Sequence, residues 1–211
     1  MSAGRRIPDG REDRTVVFDE ITQITDLLHE DSLEALMICG ADPPLPRARR
    51  HYVRTVFAQF EGIAFGLKRL ALLFDALTPV FTSGERLLLR EEGVSLKPNG
   101  KVKYSDARLG FLPNLRFAFD CLGRSLGIAT PLDAGAGGFR DLMAATKIRD
   151  RLTHPKRPTD LEVSVADHAV VTRAHRFVAK SRTTAHEAVV GRLLELTADK
   201  RKGRGVDSRR R

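Results

Sequence analysis

The sequence predicts an all-α fold: an antiparallel bundle of four or five core helices, with an N-terminal helical arm and a disordered basic C-terminal tail. Three observations carry this. Apolar residues recur at helical spacing in segment after segment. Proline and glycine breaks fall between those segments rather than inside them. Only one short stretch, Ser95 to Tyr104, carries a turn signal that suits strands, and no internal repeat is visible.

The elements follow in order. Residues 1–14 are charged and almost without apolar content, which predicts disorder. Residues 19–38 place Ile21, Ile24, Leu27, Leu28, Leu33, Leu36 and Met37 at helical spacings. The run Asp42-Pro43-Pro44-Leu45-Pro46 breaks that helix and separates an arm, 15–46, from a body, 47–199. The body opens with a long helix over 47–77, whose apolar stripe runs from Val53 through Phe57, Phe60, Ala64, Leu67 and Ala71 to Phe74. A shorter helix is expected around 83–93. Pro98-Asn99-Gly100 predicts a small hairpin over 95–104. Helix returns over 106–127, started or interrupted at Pro113. Gly135-Ala136-Gly137-Gly138 reads as a flexible lead into a helix over 139–153, which stops at Pro155. Ser164 and Asp167 form a Ser-x-x-Asp capping signature for a last helix over 164–198.

Charge is unevenly placed. The chain has 36 Lys and Arg against 27 Asp and Glu, a net +9 over 211 residues. Residues 15–46 hold Asp19, Glu20, Asp26, Glu30, Asp31, Glu34 and Asp42 and no Lys or Arg. The body is strongly basic, and so is the tail 200–211, where Asp207 is the only acid. A basic body and tail predict a polyanionic partner, RNA or DNA first. The acidic segment could lie across that body as a mask. Two cysteines, Cys39 and Cys121, are too few for a disulfide scaffold or a Cys-based zinc site, and each reads as a small apolar core residue. The longest apolar run, Leu70 to Phe74, falls far short of the roughly 18 residues of a membrane span. A soluble, cytoplasmic protein with no cofactor, no metal and no membrane partner is expected.

One constellation carries candidate chemistry. On a helical wheel Arg149 falls near the centre of the face made by Phe139, Leu142, Ala145 and Leu152. A guanidinium aimed at a bundle interior needs a pairing or a task. His154 precedes Pro155, which pushes it out of helical geometry and lets it swing back towards Arg149. The unit is Arg149-Asp150-Arg151-Leu152-Thr153-His154. The bland alternative is that Arg149 pairs with a buried carboxylate while His154 caps the helix end. Glu61, on a stripe with Arg54 and Lys68, is a second candidate that could bridge to Arg149.

This Arg-x4-His unit, near the end of a late helix, resembles the motif of the HEPN superfamily, as does the string Ile148 to Lys156. A long early helix with an embedded acid and a long final helix fit the same pattern. The resemblance covers roughly residues 47–198, though its specific part is six residues. It implies a HEPN-like bundle, a homodimer and metal-independent RNA cleavage, or an inactive RNA-binding relative, in stress, toxin–antitoxin or anti-phage roles with a protein antitoxin as a further partner. It implies His154 as general base or acid, Arg149 as phosphate stabiliser and Asp150 as an orienting group, with Arg151, Lys156 and Lys147 contacting RNA. The rival reading is a non-catalytic helical module that binds a protein or nucleic acid.

Other signals were weighed against this one. His168, His175 and His186 fall on one stripe of the last helix, read as a solvated or dimer-facing edge and too far apart to share a metal. Lys101-Val102-Lys103-Tyr104 could meet a nucleic-acid backbone with a stacking Tyr, or be a plain exposed turn.

Overall fold

The computed structural model describes residues 14–40 and 45–207, and the side chains of 16–40 and 45–198 within them. Among the described residues there are six α-helices, one 3-10 turn and one two-stranded sheet. No helix among them is long and apolar enough to cross a membrane.

Helix α2 (Pro46–Asp75) is the axis. Leu45 is extended and Pro46 opens the first turn, where its missing N–H costs nothing. The stripe that predicts this helix is the one it buries: Val53, Phe57, Phe60, Ala64, Leu67, Ala71 and Phe74 are all in the core. At its end Asp75 accepts the N–H groups of Val80 (2.7 Å) and Phe81 (3.0 Å) and pairs with Arg86 (2.7 Å). Burial alone would raise the Asp75 pKa, but the guanidinium and the two N–H groups outweigh it and hold the carboxyl below the ordinary range.

Helix α1 (Arg14–Ile38) lies antiparallel on α2. Gly62 and Gly66 let it approach closely: a Cβ built on Gly66 would stand 2.7 Å from Ile21 Cγ2. The buried side of α1 is therefore built from small or polar residues, Val17, Ile21, Thr25, Ser32, Ala35 and Cys39. This corrects the expected apolar face. Ile24, Leu27, Leu33 and Met37 are exposed, because the narrow gap over the two glycines has no room for large side chains. Val17, Ile21, Ala35 and Cys39 belong to the same core cluster as α2. The acidic helix also meets basic partners, Asp26 with Arg182 (2.7 Å) and Glu20 with Arg69 (3.4 Å). Residues 41–44, where the break was expected, and 1–13 lie outside the described residues.

Helix α3 (Ser83–Leu89) is opened by a reciprocal capping box between Thr82 and Glu85. It stops four residues earlier than expected. Glu91 takes φ 59°, a left-handed turn, and the chain enters β1 (Glu92–Leu96). β1 pairs antiparallel with β2 (Val102–Asp106), from Glu92 opposite Asp106 to Leu96 opposite Val102. The turn is the predicted one: Gly100 has φ 76° and its N–H donates to the Lys97 carbonyl. The hairpin is longer than 95–104, so α4 (Phe111–Leu126) begins five residues late, with Pro113 in its first turn. Phe111 packs on Phe57 and Phe60, and Leu115, Ala118, Phe119 and Leu122 fill the core.

Helix α5 (Gly137–Thr153) runs antiparallel to α6 (Val165–Asp207). Gly138 is more than a flexible lead, because a Cβ there would stand 2.5 Å from the Phe177 ring. The predicted cap of α6 forms in both directions: the Asp167 N–H donates to Ser164 Oγ and the Ser164 N–H to Asp167 Oδ2, each at 3.0 Å. α6 continues to Asp207, so residues 200–207 of the expected disordered tail are helical. Residues 208–211 lie outside the described residues.

Candidate functional site

Phe139, Leu142, Ala145, Ile148 and Leu152 anchor α5 in the core. Arg149 stands at the flank of that face rather than inside it, with its side chain 26% exposed. Its guanidinium donates to Glu61 Oε1 of α2 at 2.7 Å and to Asp150 Oδ1 at 3.2 Å. The bridge from Glu61 to Arg149 foreseen in the sequence is thus present. It crosses an open cleft of about 170 Å³ between α2 and α5, floored by Val53, Phe57 and Leu152 and walled by Arg54 and Thr153. Thr153 Oγ1 donates to the Arg149 carbonyl at 2.9 Å and holds the last turn.

His154 ends the helix with φ −126° and ψ 59°, outside helical geometry, as its place before Pro155 requires. Its N–H still donates to the Asp150 carbonyl at 3.0 Å, and its side chain is exposed. No hydrogen bond among the described residues joins its imidazole to Arg149. Just beyond, Asp160 accepts the N–H groups of Lys156 (2.8 Å) and Arg157 (2.9 Å), which folds the chain tightly after the proline. Lys156 is exposed there.

The remaining predicted contacts are dispersed. Arg151 is held by Asp167 of α6 at 2.7 Å. Lys147 is exposed but lies two residues before Arg149, on the other side of α5. Arg54 was visible only as a stripe partner of Glu61, and the cleft gives it a place beside Arg149. Lys68, the third member of that stripe, is buried, with Glu91 at 2.5 Å and Asn114 at 3.0 Å.

The histidine stripe of α6 is not solvated along its length, which corrects that expectation. α1 and α2 cover it. His175 is 5% exposed. Its Nδ1 lies 3.1 Å from the Tyr52 hydroxyl and its Nε2 3.5 Å from Ser32 Oγ. Ser32 donates its own hydrogen to the His29 carbonyl at 2.7 Å, and Gln59 Nε2 lies 2.9 Å from His29 Nδ1. Burial raises the Tyr52 pKa, so the phenol keeps its proton and donates to Nδ1. The assigned tautomer of His175 is then neutral with hydrogen on Nε2. Burial, with the charges of His29 and Arg176 adding to it, lowers the His175 pKa to about 4. His168 is shifted down as well, by burial and then by Arg49. His186 lies at the exposed end with its ring 5.5 Å from Phe18. Cys39 and Cys121 are both buried, as small core residues. Among the described residues, no three His, Cys, Asp or Glu side chains are arranged to hold a metal ion.

No family model, curated protein or solved structure matches the chain.

Proposed function

We propose that the chain is a HEPN-type RNA-directed protein whose Arg149 and His154 cleave RNA without a metal, in the cytoplasm and in a stress, toxin–antitoxin or anti-phage setting. The observation that carries this reading is the placement of Arg149. A structural arginine at a core-facing position would be sealed in. This one lies half-open on the wall of a cleft, with an exposed imidazole at the end of the same helix. The chemistry needs only those groups. The RNA 2′-hydroxyl attacks the adjacent phosphorus, giving its proton to the imidazole. The phosphorane charge is held by the guanidinium. The bond to the 5′-oxygen then breaks, and the imidazolium returns the proton to that oxygen. A histidine of ordinary basicity suits both transfers near neutral pH. Glu61 and Asp150 aim the guanidinium and leave it N–H groups to spare.

A second reading has its own observation. Arg149 already has two carboxylate partners and does not touch His154. That is the arrangement of a non-catalytic interaction module. RNA incubated in EDTA with wild type, Arg149→Ala and His154→Ala separates the two. Cleavage by wild type that is lost in both folded variants supports the nuclease. Binding without cleavage in all three supports the module.

A further inference from the structure

The β1–β2 hairpin presents one face that nothing in the chain covers. The register puts Val94 opposite Tyr104 and Leu96 opposite Val102 on the same side of the sheet. These four side chains are 49%, 68%, 73% and 51% exposed, respectively. A two-stranded hairpin in water is marginal without a covered face. Yet this one is not a loose loop. Its root is fixed by the buried ammonium of Lys68 on Glu91 and by the Ala107 N–H on the Glu91 carbonyl at 2.7 Å.

The hairpin is also charged unequally along its length. At the root, on the apolar side, Glu92 faces Asp106 directly. Like charges in that relation repel, and neither carboxylate has an ion pair among the described residues. At the tip, Lys97 and Lys101 close the turn, joined by the Lys97 N–H on the Lys101 carbonyl at 2.9 Å. Neither ammonium has an ion pair among the described residues, and their stems are long enough to reach past the end of the sheet. Root and tip lie about 17 Å apart for five residues of strand.

We propose that this face packs against the same face of a second copy of the chain, antiparallel about a two-fold axis. That orientation sets each acidic root against the partner's basic tip and covers the four apolar side chains of both copies at once. One surface is self-complementary in shape and in charge, as an isologous contact must be. The patch is smaller than a permanent dimer needs, so the contact is a concentration-dependent equilibrium. It stands independently of any chemistry at Arg149 and His154.

Sedimentation equilibrium of the full chain, from micromolar to the highest soluble concentration, tests it. Wild type is expected to dimerise, and Leu96→Asp to weaken the dimer by about tenfold or more. Glu92→Lys with Asp106→Lys weakens it, and so does Lys97→Glu with Lys101→Glu. All four changes together restore it, because the charges are exchanged and still match. Thermal melts confirm that each variant folds. A chain that stays monomeric throughout, or a dimer indifferent to these changes, overturns the proposal. So does RNA binding that falls in the hairpin variants while wild type shows no self-association, which would assign the face to nucleic acid.

Discussion

Arg149 and Glu61 meet at 2.7 Å across the open side of the α2–α5 pair, 88 residues apart in sequence. Both ends are partly solvated, at 26% and 53% exposed, so the pair contributes no more than about 1 kcal/mol to stability. Its consequence lies in the site, where the carboxylate competes with any phosphate for the guanidinium. Glu61→Gln should therefore leave the urea midpoint nearly unchanged. It should tighten RNA binding roughly two- to fivefold at low salt, since a negative charge leaves the cleft. Fluorescence anisotropy with a short RNA measures this. Unchanged or weaker binding would remove the cleft from the RNA-binding surface.

The two glycines under α1 should respond with opposite sign. A Cβ on Gly62 meets Leu28 Cδ1 at 2.3 Å, the far end of a flexible side chain that can turn away. Gly62→Ala then keeps most of its helix-propensity gain, about 1 kcal/mol, and is neutral or stabilising. A Cβ on Gly66 meets Ile21 Cγ2 at 2.7 Å, a methyl on a stiff β-branched centre. Gly66→Ala should lose about 1–2 kcal/mol net, and Gly66→Val more. Urea unfolding of the three variants decides it, and equal effects at both sites would contradict this packing.

These glycines also show where the sequence was legible. The helix α2 stripe, the Ser164–Asp167 cap and the Pro98-Asn99-Gly100 turn each follow from local rules and are found in place. The burial of α1 did not, because a helix packed on Gly62 and Gly66 buries Thr25, Ser32 and Ala35 and exposes Leu27 and Met37. The histidine stripe was misjudged for the same reason. Its cover is α1, and nothing local in α6 announces a helix more than a hundred residues earlier. At the site, the wheel brought Arg149 to the core face and the stripe brought Glu61 within reach. The wheel could not show that α2 and α5 part there and leave the guanidinium at a cleft.

Lys68 should be the most sensitive charge in the fold. It is 1% exposed, and it joins α2 to the left-handed Glu91 and to Asn114 at the start of α4. Lys68→Met keeps the apolar stem but leaves both acceptors without their cation. Glu91 is partly exposed and can take up water, so the cost should be about 1–3 kcal/mol rather than that of a fully buried broken pair. The loss should centre on the hairpin. Hydrogen exchange should speed up for residues 92–106 ahead of the helices, and a uniform change would mean that Lys68 does not anchor the root.

His175 sets an acid limit on stability. Its imidazole has a pKa near 6.5 in an unfolded chain, and burial between Tyr52 and Ser32 lowers it to about 4 in the native protein. Between those values the unfolded chain binds more protons, so stability rises with pH across that window and falls as acid is added. The full loss on acidification is about 3 kcal/mol by pH 4. His168, shifted in the same direction by burial and Arg49, adds to it. Asp75, Asp141 and Asp167 are held below the ordinary carboxyl range, so their losses come mainly at lower pH. His175→Gln keeps polar atoms beside Tyr52 and Ser32 but cannot titrate. Urea midpoints from pH 7 to pH 4 should therefore fall less steeply in the variant, even if it begins less stable. Parallel curves would show that His175 remains protonated or solvated in the native chain, and the α1–α6 contact would then need another explanation.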